Sequence, residues 1–242
     1  MHIVKHLVAS IAIVALSGAT LAQPAPSSEV LFTQLKALAP AGNAEVQYHL
    51  GMFLNNGIGT ARDTAAAFQQ FSAAAAAGHP LAAYKVGCYL AGQFPGVVPV
   101  DQAEALKFKL RAAEAGYELA QQDVGIAYAK RGDAANARQW LERASRQGSL
   151  PATAYLARDL SADLSADKTK GYALLQLLKA RMPAPPPEMT ERIAKLDAQL
   201  SDGEKAVAAT LRASWVTGET PLTQQARSGT RALPALIASL ER

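Results

Sequence analysis

The chain has 242 residues, a formal net charge of +4, 50% hydrophobic residues, 6% aromatic residues and 18% charged residues. About a fifth of it is alanine, so its apolar content sits in small side chains, which argues against a β-sandwich or barrel and for close-packed helices. One cysteine, Cys88, excludes an intramolecular disulfide framework and any multi-cysteine metal site.

Residues 1–22 read as a secretory signal. Met1 and Lys5 form a short positive start, Leu7 to Leu16 is apolar, and Thr20 and Ala22 supply the small residues of a cleavage site before Gln23. The apolar run is shorter than the roughly 20 residues that span a bilayer. Cleavage would remove Lys5 and leave residues 23–242. No basic cluster follows, so no nucleic-acid partner is expected. No second run is long enough to span a membrane, and the expected location is periplasmic or secreted.

Residues 23–42 are expected to hold a capping helix from Glu29 to Leu38. A repeat pattern then occupies residues 43–182. Asp63, Asp101 and Asp133 are each followed fifteen residues later by a glycine, Gly78, Gly116 and Gly148. Aspartate caps a helix start through its carboxylate, and glycine ends a helix in the left-handed conformation. Each block therefore reads as a four-turn helix B.

Ahead of each block lies a helix A centred on Gly51, Gly87 or Gly125, with apolar residues five and one positions before each glycine, and three before it in the first two copies. A glycine recurring at mid-helix implies close contact with another helix, since it costs about 1 kcal/mol relative to alanine. The A–B links vary from Asn55–Gly59 and Gly92–Gly96 to the brief Arg131-Gly132. A weaker fourth copy uses Ala152, Leu156 and Ala157, with Asp167 opening its helix B and Met182 in place of the closing glycine. The expected repeat bounds are about 43–80, 81–118, 119–150 and 151–182.

The pattern is similar to the Sel-1-like repeat family, relatives of tetratricopeptide repeats. Val46-x-Tyr48-x-Leu50-Gly51, Gly57-Ile58-Gly59, Asp63, Ala67 and Ala76-Ala77-Gly78 carry the resemblance. It implies an all-α chain folded as an α/α superhelix that holds other proteins. The family prescribes no catalytic residues.

Beyond the repeats, Pro183-Ala184-Pro185-Pro186-Pro187 breaks the helix. Residues 183–217 are expected to form two capping helices, the second opened by the capping box Ser201-Asp202-Gly203-Glu204. Residues 218–242 are expected as a tail, flexible from Gly218 to Gly229, with Leu233 to Leu240 able to add a last docked helix.

Residues that carry chemistry are sparse. After signal removal the histidines are His49 and His79, read as surface or groove residues, and no H-E-x-x-H motif or G-x-S-x-G elbow occurs. Gly57-Ile58-Gly59 lacks the third glycine of a phosphate loop, because Arg62 stands there. Cys88, Trp140 and Trp215 read as core. No catalytic, metal or cofactor-binding residue is assigned, and no cofactor is expected.

The resemblance implies that helix A lines the binding wall. Positions four and two before its glycine then present Gln47, His49, Lys85, Gln121 and Asp123, with Tyr155 in the fourth copy, to a partner. The expectation is a non-enzymatic exported scaffold for a protein or peptide in the bacterial envelope. The alternative is a peptidoglycan-associated binder or hydrolase of the periplasm.

Overall fold

The computed structural model describes residues 26–162 and 167–242. The expected signal segment lies outside the described residues. Among those residues the regular structure is all helical, and no helix is long and apolar enough to cross a membrane.

The chain opens with α1 (Ser28–Leu38), capped by the Ser27 hydroxyl, and a short 3-10 turn, Ala39–Ala41. Four helix hairpins follow: α2 (Ala44–Asn56) with α3 (Thr64–Ala76), α4 (Pro80–Leu90) with α5 (Gln102–Glu114), α6 (Glu118–Lys130) with α7 (Ala134–Arg146), and α8 (Leu150–Ala162) with α9 (Lys168–Arg181). Each hairpin packs internally and against the next, which makes an α/α solenoid.

The aspartate–glycine brackets act as their chemistry dictates. The carboxylates of Asp63, Asp101, Asp133 and Asp167 accept first-turn amides of α3, α5, α7 and α9. Gly78, Gly116 and Gly148 follow α3, α5 and α7 with φ of +90°, +97° and +102°.

The mid-helix glycines mark where helix A touches helix B. A methyl group at Gly51 would lie 2.7 Å from the Phe71 ring, and at Gly125 it would lie 2.6 Å from Leu141 Cγ. At Gly87 it would meet Lys109 Cγ at 2.8 Å and the Ala105 carbonyl oxygen at 2.9 Å. Buried Ala67, Ala74, Ala105, Ala112, Ala137 and Ala144 line the B helices, so small side chains set a short interhelix distance throughout.

Two helices, α10 (Pro187–Asp197) and α11 (Asp202–Ser214), cover α9, burying Ile193, Leu196, Leu200 and Ala208 with Leu174 and Leu178. The Ser201–Glu204 capping box forms as the sequence predicts. Trp215 is 1% exposed; its indole N–H donates to Ser145 Oγ at 2.7 Å, and that hydroxyl lies 2.6 Å from Thr153 Oγ1. One side chain thereby ties the end of α11 to both α7 and α8.

The C-terminal segment departs from expectation. Gly218 to Gly229 is not a flexible tail: it contains α12 (Pro221–Ser228), whose start is capped by the Thr220 hydroxyl. From Thr217, whose amide donates to the Arg146 carbonyl at the end of α7, the chain runs back across the inter-repeat turns. It ends in α13 (Leu233–Leu240), where Leu233 and Ile237 are buried with Leu31, Leu35, Val46 and Leu50 of α1 and α2. The last helix thus packs on the first one.

Candidate protein-interaction site

The six residues expected at the binding wall fall into three environments. Gln47 is half-buried on α2 and borders an open hollow of about 480 Å³ with Phe32, Lys36, Pro40, Leu54 and Gln70. Lys85 is half-buried on α4. Tyr155 on α8 carries the Arg158 guanidinium over its ring at 4.5 Å and borders a second hollow, of about 350 Å³, floored by Ala137, Leu141 and Leu156. The rim of that hollow includes the Arg138–Asp159 ion pair, at 2.5 Å.

Asp123 accepts from Lys109 Nζ at 2.6 Å, with the Tyr84 hydroxyl at 3.4 Å, and so bridges α6 to α5 and α4. Nearby Cys88 is a buried free thiol, and burial pushes its pKa up. A thiol held protonated is a poor nucleophile.

His49 and Gln121 are buried and hydrogen-bonded inside the fold. His79 is buried as well, so neither histidine is the surface or groove residue that the sequence suggests. His49 Nε2 donates to one oxygen of Glu45 and His79 Nε2 to the other, each at 3.0 Å. His79 Nδ1 accepts the Ala82 amide at the start of α4, which places the ring proton on Nε2. The Gln225 side-chain amide, from α12, closes over the same carboxylate at 2.9 and 3.0 Å. Hydrogen bonds from His49, then His79, hold the Glu45 pKa well below the usual carboxylate range against the opposing effect of burial.

Gln121 belongs to a second network under the C-terminal segment. Its Nε2 donates to the Ala113 carbonyl at 3.1 Å, and its Oε1 accepts from Gln147 Nε2 at 2.8 Å. Gln147 Nε2 also donates to the Gly116 carbonyl at 2.9 Å, while its Oε1 accepts the Thr220 amide at 3.0 Å and the Thr223 hydroxyl at 2.8 Å. The Thr220 hydroxyl donates to the same Gly116 carbonyl at 2.9 Å. Each donor and acceptor of the Gln147 amide is thus used.

Gln147, Thr220 and Thr223 escaped the sequence reading. A signal was present for the first: Gln147 stands before Gly148, where Ala77 and Ala115 stand before Gly78 and Gly116. A long polar residue at an alanine position of a repeat requires a partner, and here the partner lies 73 residues downstream at Thr220.

The structure thus brings His49 and Gln121 together with the C-terminal segment, through Glu45 and Gln147, and leaves Gln47, Lys85 and Tyr155 half-exposed on the A helices of the first, second and fourth hairpins. Among the described residues no group of three or more His, Cys, Asp or Glu side chains is placed to hold a metal ion.

The Sel1 repeat family model matches residues 44–79, 80–117 and 117–149, the first three hairpins. The fold is similar to the crystal structure of a Sel1 repeat protein from Oxalobacter formigenes, with 21% identity and a TM-score of 0.60 over 77% of this chain and 79% of that one. A second solved structure is c5321, a protective antigen of uropathogenic Escherichia coli with an SLR fold. It shares 18% identity at a TM-score of 0.49, over 83% of this chain and 50% of that one. No curated protein matches the chain. The helix hairpins, their aspartate–glycine brackets and the family match together identify residues 44–149 as three Sel1 repeats.

Proposed function

We propose that this protein is a non-enzymatic scaffold that holds another protein or a peptide in the bacterial cell envelope. Sel1 repeats are, as a family, protein-interaction scaffolds. One observation carries the reading to this chain: the A helices of the first, second and fourth hairpins present Gln47, Lys85 and Tyr155 half-exposed, with apolar-floored hollows beside the first and the last. A partner segment lying across these helices would seat apolar side chains in the two hollows. It would take polar contacts from Gln47, Lys85 and the Arg158 guanidinium between and beside them. Affinity then comes from many shallow contacts on a rigid frame, which loses little entropy on binding.

The envelope part of the reading rests on residues 1–22, which have the composition of an export signal. The reading is tested by photocrosslinking from position 85 in intact cells, followed by mass spectrometry of the adducts. Capture of a defined envelope protein supports it. Adducts to cell-wall fragments alone, or turnover of a wall substrate by the purified chain, would replace it with the wall-binding or hydrolase alternative.

A further inference from the structure

We propose that the edge of the solenoid formed by the inter-repeat turns is a segment-docking track, and that residues 217–240 are its removable resident ligand. The proposal rests on the scaffold reading only for the idea that another protein supplies the replacement segment.

The track consists of polar groups that a repeat edge would normally expose. Glu118, Gln121 and Gln147, together with His79, are each no more than 8% exposed. The first three lie beneath a C-terminal segment that supplies matching donors and acceptors. Glu118 offers its backbone amide to Thr223 Oγ1 at 3.0 Å and its carboxylate to Arg227 at 3.5 Å. Gln147 offers its side-chain Oε1 to Thr220 and Thr223, and Glu45 its carboxylate to Gln225. A fully paired buried network of this kind selects a sequence as well as a shape.

The manner of attachment points to a ligand more than to a core element. Along α12 only Thr223 is buried, with Leu222 and Ala226 partly packed, so hydrogen bonds hold this stretch. Apolar anchoring comes at the far end, from Leu233 and Ile237 on the α1–α2 surface. Glycines flank α12, Gly218 with φ +107° and Gly229 with φ +58°. Elements held by few buried apolar contacts open at low free energy, without global unfolding.

The resident segment also defines what replaces it. The chemistry is a protein segment that opens a helix with Thr-Pro and places a second hydroxyl three residues after the first. Two aliphatic side chains four residues apart must follow, as Leu233 and Ile237 do here. A tethered segment competes at a high effective concentration, so the outside segment must match it closely or be joined to a partner already held elsewhere on the scaffold.

The test uses the full chain and a fluorescent synthetic peptide of residues 217–242. The double variant Thr220→Ala/Thr223→Val loosens the resident segment and leaves the track unaltered. The expected result is peptide binding at least about tenfold tighter to the variant than to the wild-type chain, because the tethered competitor is weakened. That binding should be lost when Gln147→Ala is added. Hydrogen exchange on the wild-type chain gives a second readout: the α12 amides should exchange by local opening, well before those of α4 and α6. Exchange of α12 only with global unfolding would overturn the proposal. So would a variant whose α12 opens faster, with its repeats still protected, yet which binds the peptide no better. Neither outcome bears on envelope capture through position 85, so the two proposals fail separately.

Discussion

The side-chain hydroxyl of Thr223 sits 3.0 Å from the backbone nitrogen of Glu118, 105 residues earlier in the chain. That amide is at the start of α6, where a helix N–H has no intrahelical acceptor, and Tyr117 ahead of it makes no side-chain cap. The C-terminal segment therefore caps a helix of the third repeat from outside it. The same hydroxyl donates to Gln147 at 2.8 Å, so one threonine serves two separate turns of the solenoid.

Replacing Thr223 with valine keeps the shape and removes both bonds, leaving the buried Glu118 amide without its acceptor. The expected cost is about 1–3 kcal/mol. It should appear as faster hydrogen exchange in α12 and at the start of α6, with the α8–α9 hairpin unchanged.

Glycine substitutions should divide by contact, not by position in a helix. Gly87→Ala gains helix propensity, yet its methyl group meets the Ala105 carbonyl oxygen at 2.9 Å, which forces α4 and α5 apart. A loss of about 1–3 kcal/mol is expected. Gly203→Ala, in the first turn of α11 with nothing within 4 Å, should stabilise by up to about 1 kcal/mol. Chemical denaturation of both variants checks the signs.

This contrast also separates what the sequence made legible from what it hid. Asp63, Asp101 and Asp133 cap their own helices and Gly78, Gly116 and Gly148 end them, so a local code announces each hairpin. Gly51, Gly87 and Gly125 were readable as contact points because they recur in register. The C-terminal strap was not readable, since Thr217, Thr220 and Thr223 bond to residues 71 to 107 positions away and follow no period. For the same reason the sequence pattern puts His49 and Gln121 on a binding surface. Their spacing is that of an exposed helix flank, yet both are buried, His49 bonded to Glu45 and Gln121 to Gln147.

Acid should weaken the junction of the first repeat with the strap. The Glu45 carboxyl has a folded-state pKa below its ordinary value of 4.5 because His49 and His79 donate to it. A depressed folded pKa gives stability that is fully present above the unfolded value and is lost as pH falls through the folded one. Loss should therefore begin below about pH 4.5 and continue downward. Comparing urea midpoints at about pH 7 and about pH 3 checks this: Glu45→Gln should flatten the difference seen in the wild-type chain.

The scaffold reading stands or falls on capture through the A helices. The decisive measurement is affinity capture from envelope fractions with the wild-type chain and with the triple variant Gln47→Ala/Lys85→Ala/Tyr155→Ala, both confirmed as folded by circular dichroism. The account predicts that the wild-type chain retains a defined envelope protein and that the variant loses most of it. Equal retention by both chains would contradict it.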